Sequence, residues 1–130
     1  MITAVDTNIL LDILLPDESF YEASVLALEG AASSGSLVIC DLVYAELCIH
    51  FLGQRECDAF LEGNEIRVEP LSREAGFLAS RAWRKYRMQG GQRTRILTDL
   101  LKGHAETQAT CLMSRDRGFY RKLFPSPNHN

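Results

Sequence analysis

Ile2-Thr3-Ala4-Val5-Asp6-Thr7-Asn8-Ile9-Leu10-Leu11-Asp12 carries a strand-to-helix pattern that sets the architecture. Four mostly apolar, strand-like residues run into an acid, and two residues suited to capping a helix follow before the apolar pattern resumes. The pattern predicts a first strand at about residues 2–5, then a short helix capped by Thr7 and Asn8, running through Leu15 and ended by Pro16. A strand that gives directly onto a helix is the repeating unit of a parallel α/β sheet.

The same alternation continues along the chain. Asp17-Glu18-Ser19 opens a second helix to about Ala32, with Val25, Leu28 and Ala32 as its inner face. Ser33-Ser34-Gly35-Ser36 reads as a turn, Leu37 to Cys40 as a buried strand, and Asp41 as the N-cap of a third helix. That helix should turn Leu42, Ala45, Ile49 and Leu52 inward, hold Glu46 beside the stripe, and end at Gly53. A short helix over residues 54–62 stops at Gly63-Asn64, and Ile66-Arg67-Val68 is the third strand. Ser72 caps a long helix with Ala75, Leu78, Ala79, Ala82 and Tyr86 on one face, closed by Gly90-Gly91. A helix from Asp99 to about Ala109 leads to a strand at Cys111 to Ser114, then a short basic, aromatic helix from Arg115 to Leu123. The expectation is an α/β fold in one domain, residues 1–125, with a frayed tail at 126–130.

Composition limits the function classes. The 130 residues suffice for one real core, and no apolar run approaches the roughly 18 needed to cross a bilayer. Met1-Ile2-Thr3-Ala4-Val5 has no basic flank and is broken by Asp6, so it does not read as a signal peptide, and a cytoplasmic protein is expected. Cys40, Cys48, Cys57 and Cys111 lack C-x-x-C or zinc-finger spacing and are expected to be reduced and structural. Net charge is −3, but its distribution is uneven. The first 54 residues hold eight acids and no Lys or Arg, and all 14 basic residues lie beyond them. Arg81, Arg84, Lys85, Arg87, Arg93 and Arg95 form one basic cluster; Arg115, Arg117, Arg121 and Lys122 form another. Such clusters suit phosphates, although a solvated helix face explains the first equally well.

Four acids fall where strands give way to helices: Asp6, Glu46, Asp99 and Asp116. In a parallel sheet these junctions share one edge, the edge at which ligands bind. Carboxylates gathered there repel one another, and a bound divalent cation is the usual relief. Metal-assisted phosphodiester hydrolysis is the reaction class this implies. Taken singly, Asp6 and Asp99 serve as well as helix caps, Glu46 as a surface residue and Asp116 as a turn residue; the joint pattern carries the inference.

The same segments resemble those of PIN-domain ribonucleases. Val5-Asp6-Thr7-Asn8-Ile9-Leu10-Leu11-Asp12 looks like the opening signature and Tyr44-Ala45-Glu46-Leu47 like the second acidic segment. Arg95-Ile96-Leu97-Thr98-Asp99-Leu100-Leu101 with His104-Ala105 resembles the third, and Ser114-Arg115-Asp116-Arg117-Gly118-Phe119-Tyr120-Arg121 the fourth. The resemblance spans residues 2–125 and is nearest to the VapC-type toxins of bacterial and archaeal toxin–antitoxin operons. It implies a three-layer α/β/α sandwich around a central parallel sheet, and Mg²⁺- or Mn²⁺-dependent endonucleolytic cleavage of RNA. It further implies that Asp6, Glu46, Asp99 and Asp116 are the metal-site acids, with Thr7 and Ser114 as supporting hydroxyls. A homodimer and a small antitoxin lying across the acidic crevice are implied partners. Two departures stand out: the Asp99–Asp116 segment is one residue shorter than usual, and Thr98 stands where proline is common.

Other readings set the limits. Arg115 and Arg117 flank Asp116 and are candidate phosphate contacts, with a salt bridge to the acids equally consistent. Phe119 and Tyr120 are candidates for base stacking, but core or dimer packing fits better, as it does for Trp83 and Tyr86. Asp12 reads as structural rather than as a ligand, and His104 as a packed, hydrogen-bonded side chain. A receiver or phosphatase of the haloacid-dehalogenase type also places acids at strand ends. The phosphatase requires a second Asp where Asn8 stands, and the receiver a lysine where Arg115 and Asp116 stand. A catalytically silent binding module is the remaining alternative.

Overall fold

The computed structural model describes residues 1–88, 90, 104, 105, 107–115, 121 and 122. Asp99, Asp116, Arg117, Phe119, Tyr120, the side chain of Tyr86 and the tail at 126–130 lie outside the described residues.

Strand β1 (Ile2–Val5) leads into helix α1 (Thr7–Leu14), and helix α2 (Tyr21–Ser34) returns the chain to strand β2 (Ser36–Cys40). Helices α3 (Asp41–Cys48) and α4 (Gln54–Gly63) follow, then strand β3 (Ile66–Glu69) and helix α5 (Arg73–Met88). Residues 104, 105, 107 and 108 are helical and precede strands β4 (Cys111–Met113) and β5 (Arg121–Lys122). The sheet order is β3-β2-β1-β4-β5. β1 pairs in parallel with β2 and β4, and β2 pairs in parallel with β3. The fold is therefore α/β, with a four-stranded parallel sheet edged by one antiparallel strand.

Both faces of the sheet are covered at β1, β2 and β4, which is why these strands read as near-continuous apolar runs, whereas β3 buries Ile66 and leaves Arg67 and Val68 exposed. Val5, Leu37, Ile39 and Met113 point to one face and pack with Ile9 and Leu10 of α1, Leu28 of α2, Val43 and Leu47 of α3, and Leu61 of α4. The alternate residues Ala4, Val38 and Leu112 point to the other face and meet Ala105 and Ala109. Gln108 ties this second layer to the start of α5, accepting from Ser72 N at 3.2 Å and donating to the Pro70 carbonyl at 3.2 Å. Gly35 lets β2 start close beside β1: Ser36 N donates to the Met1 carbonyl at 2.9 Å, and a Cβ on Gly35 would collide with that carbonyl.

Several local expectations are corrected. The α1 cap is Asp6, whose carboxylate accepts from Thr7 N, rather than Thr7 or Asn8. α2 extends to Ser34 and buries Ser24, Leu28 and Ala31, so Ala32 is solvent-facing and the inner stripe lies one residue earlier. α3 already includes Asp41 and ends at Cys48; Val43 and Leu47 are its buried pair, while Ile49 and Leu52 are 78% and 105% exposed. Gly53 is the N-cap of α4 rather than the stop of α3. Along α5, Ala75 and Ala79 are buried but Ala82 is exposed. Residues 121 and 122 form an antiparallel strand on β4 where a helix was expected, because β4 offers an open row of backbone donors and acceptors. The expected cap at Ser72 is present: its hydroxyl accepts from Ala75 N at 3.0 Å. Among the described residues no helix is long and apolar enough to cross a membrane.

Candidate active site

From β1 the chain steps outward through β2 to β3, then returns to the other flank of β1 with β4. The strand order thus reverses between β1 and β4, and the ground beyond the C-terminal ends of two such strands is where parallel sheets form their ligand crevice. Asp6 follows β1 directly and Ser114 follows β4 directly. Asp6 N donates to the Met113 carbonyl at 2.9 Å, which pins the two strand ends together.

Asp6 is half-buried and held from several sides. Its Oδ1 accepts from Thr7 N at 2.7 Å, and its Oδ2 accepts from Ser114 Oγ at 2.8 Å and from Asn8 Nδ2 at 3.5 Å. Asn8 in turn donates to Ser114 Oγ at 3.3 Å and accepts from Arg115 N at 3.2 Å through Oδ1. Extended φ/ψ at Asp6 aims the carboxylate back over the first turn of α1, where the free helix N–H groups favour negative charge.

Glu46 reaches the same place from α3. Its Oε1 accepts from Thr7 Oγ1 at 3.0 Å. Thr7, itself buried, therefore bonds one carboxylate through its amide and the other through its hydroxyl. Glu46 is solvent-exposed, not wedged against the core as the sequence pattern suggested, because the buried face of α3 is the Val43–Leu47 row. The desolvation cost expected of it is consequently absent.

Of the acids singled out from sequence, Asp6 and Glu46 are brought together, and Asp99 and Asp116 fall outside the described residues. Among the described residues no three acidic, His or Cys side chains form a metal-holding group. The donors that are described, carboxylate oxygens backed by hydroxyls, are the hard ligands that suit Mg²⁺ or Mn²⁺ rather than a thiolate-seeking ion. Asn8 was read from sequence only as a cap; its two-position offset from Asp6 on a new helix was the available signal for a second role.

Asp12 and Arg115 form a separate unit beside the crevice. Asp12 is 3% exposed, accepts from Ser24 Oγ at 2.7 Å, and lies 3.2 Å from Arg115 Nε. The Arg115 guanidinium also sits 4.2 Å from the centre of the Phe20 ring. His104 is fully buried, as expected of a packed side chain; among the described residues its ring nitrogens have no partner within hydrogen-bond distance, and Glu69 Oε1 lies 3.7 Å from Nε2. Burial pushes its pKa down, with Glu69 and then Asp41 pulling partly the other way. Arg81, Arg84, Lys85 and Arg87 are exposed on α5, forming the described part of the first basic cluster.

No curated protein matches the chain. Among solved structures it is similar to the crystal structure of VapBC2 from Rickettsia felis bound to a DNA fragment from their promoter. Identity is 21%, the TM-score 0.62, and the match covers 88% of this chain and 86% of that one, a likeness of fold. The family model described as PIN domain matches residues 3–124. With nearly its whole length matched, and with acids at the sheet edge where the strand order reverses, the chain belongs to the PIN-domain family.

Proposed function

We propose that this protein is a Mg²⁺- or Mn²⁺-dependent endoribonuclease acting as the toxin of a toxin–antitoxin pair. PIN domains are generally nucleases. The observation that carries the reading is the convergence of Asp6 and Glu46 on Thr7 at the β1–β4 crevice, two acids 40 residues apart held by one residue. Asp99 and Asp116 complete the proposed ligand set; Asp116 stands two positions beyond Ser114, which already bonds Asp6. A hard divalent cation bound there supplies Lewis acidity toward water and the scissile phosphate.

The chain's own residues do the rest. Thr7 and Ser114 fix the orientation of Glu46 and Asp6 with hydroxyl donors, as the supporting partners of metal ligands do. Asn8 holds Ser114 in turn. Arg117 and the exposed cations of α5 are the proposed contacts to the RNA backbone, joined by the edge of Arg115 that its pairing with Asp12 leaves in water. The catalytic unit is assigned to residues 1–125, working in the cytoplasm as a homodimer. The likeness to a VapBC complex supports a small antitoxin partner, which would lay a cationic side chain against the acids.

The test is RNA cleavage by the purified protein with Mg²⁺ or Mn²⁺, with a chelator, and with Asp99→Ala. Cleavage that depends on the added ion and vanishes in Asp99→Ala is the expected result. Cleavage at an unchanged rate in the variant would overturn the assignment.

A further inference from the structure

Helices α3 and α4 meet at a pair of thiols. Cys48, the last residue of α3, is half-buried, and Cys57, on the first turns of α4, is fully buried. Their sulfurs are 3.4 Å apart and share a hydrogen bond. A second contact fixes the same junction, for Tyr44 of α3 donates to Asp58 Oδ1 of α4 at 2.6 Å. The other cysteines differ. Cys40 and Cys111 are fully buried in β2 and β4, the strands on either side of β1, and burial pushes the Cys40 thiol up.

We propose that Cys48 and Cys57 form a reversible disulfide in response to a hydroperoxide, making the α3–α4 junction a redox-modified site. Cys48 is the entry point, being the one of the pair that solvent reaches. Its sulfur attacks the peroxide, the O–O bond breaks, and Cys48 becomes a sulfenic acid as water or an alcohol leaves. The Cys57 sulfur then attacks the Cys48 sulfur and expels hydroxide, which takes up the Cys57 proton and departs as water. Two thiols lose two electrons and the peroxide gains them. Burial, with the hydrogen bond to Cys48 next, raises the Cys57 pKa to about 12, so Cys57 keeps its proton and reacts only with the neighbouring sulfur. The sulfurs need to close by little more than an ångström to reach a bond of about 2 Å. Nine positions separate the two cysteines, so the bond closes a short loop and ties the helix bearing Glu46 to α4.

The experiment treats the reduced protein with hydrogen peroxide, blocks remaining thiols under denaturing conditions, and maps peptides by mass. The expected product has lost about two mass units as two hydrogens, carries a Cys48–Cys57 link, and reverts with dithiothreitol. In Cys57→Ala the link is lost completely and Cys48 stays at the sulfenic acid, trapped by dimedone. Four thiols still open to blocking after peroxide, or a link joining any other pair, would overturn the proposal. The main measurement needs no variant to fold, and none of it involves RNA cleavage, so it stands or falls apart from the proposed nuclease activity.

Discussion

Helix α1 carries an aspartate at each end, and the two are treated in opposite ways. Asp12 is sealed from water, bonded to Ser24, and paired with the Arg115 guanidinium, which is braced on Phe20. Asp6 is half-open, and a backbone amide, a hydroxyl and a carboxamide are among the groups that orient it. One end of the helix buries its acid in a packed ion pair, while the other presents its acid to solvent at the end of β1.

Substitutions at the two ends should separate stability from activity. Asp12→Ala strands Ser24 and leaves Arg115 without its counter-charge. The expected loss is about 3 kcal/mol in a urea titration, at the low end for a buried pair. Arg115 keeps 31% of its side chain in water, which softens the loss. Below its lowered melting point this variant should still cut RNA. Asp6→Asn should do the reverse. Asparagine caps a helix as well as aspartate does, so the urea midpoint should barely move. The cleavage rate should fall by about 100-fold or more, since a ligand is worth at least as much as its supporting partners. A variant that unfolds easily yet keeps activity at position 6 would erase the contrast.

Thr7→Val keeps the amide that Asp6 accepts from but removes the hydroxyl that holds Glu46. A rate loss of about tenfold is expected from single-turnover cleavage, with the remaining defect rescued by raising the Mn²⁺ concentration. The smallest effect concerns His104. Unfolded, this imidazole takes up a proton near its ordinary value of 6.5; folded, burial delays protonation to lower pH. Below about 6.5 the unfolded chain therefore binds more protons, so stability falls as pH drops, by at most about 1.4 kcal/mol per pH unit. Above it the ring is neutral in both states and contributes no slope. Urea midpoints from pH 7.5 to about 5.5 should slope in the native protein and flatten in His104→Leu.

Strands β1, β2 and β4 were legible because burial on both faces leaves a near-continuous apolar run, and Ser72 because a hydroxyl before a long periodic stretch has one obvious task. Short helices were harder to orient. In α3 eight residues admit two apolar stripes, and only packing chose Val43 and Leu47 over Leu42 and Ile49. The register error in α2 has the same origin, since Ala31 and Ala32 are alike to any local pattern. Nothing in Arg121-Lys122 favours a strand; the open flank of β4 imposed it. At the site, the positions of Asp6 and Glu46 followed from the strand-to-helix junctions. The bridging part played by Thr7, and the second task of Asn8, depend on contacts across 39 and 106 residues that no local signal encodes.

The pairing of β1 with β4 also bears on how this protein is made. β1 is translated well before its partner strand, which spans residues 111–113 and supplies the backbone oxygen that anchors Asp6. Everything between the two must leave the ribosome before that loop can close, and contacts so distant in sequence are slow to form. A growing chain can therefore bring Thr7 to Glu46 early, but the bonds from Met113 and Ser114 to Asp6 wait until β4 has emerged.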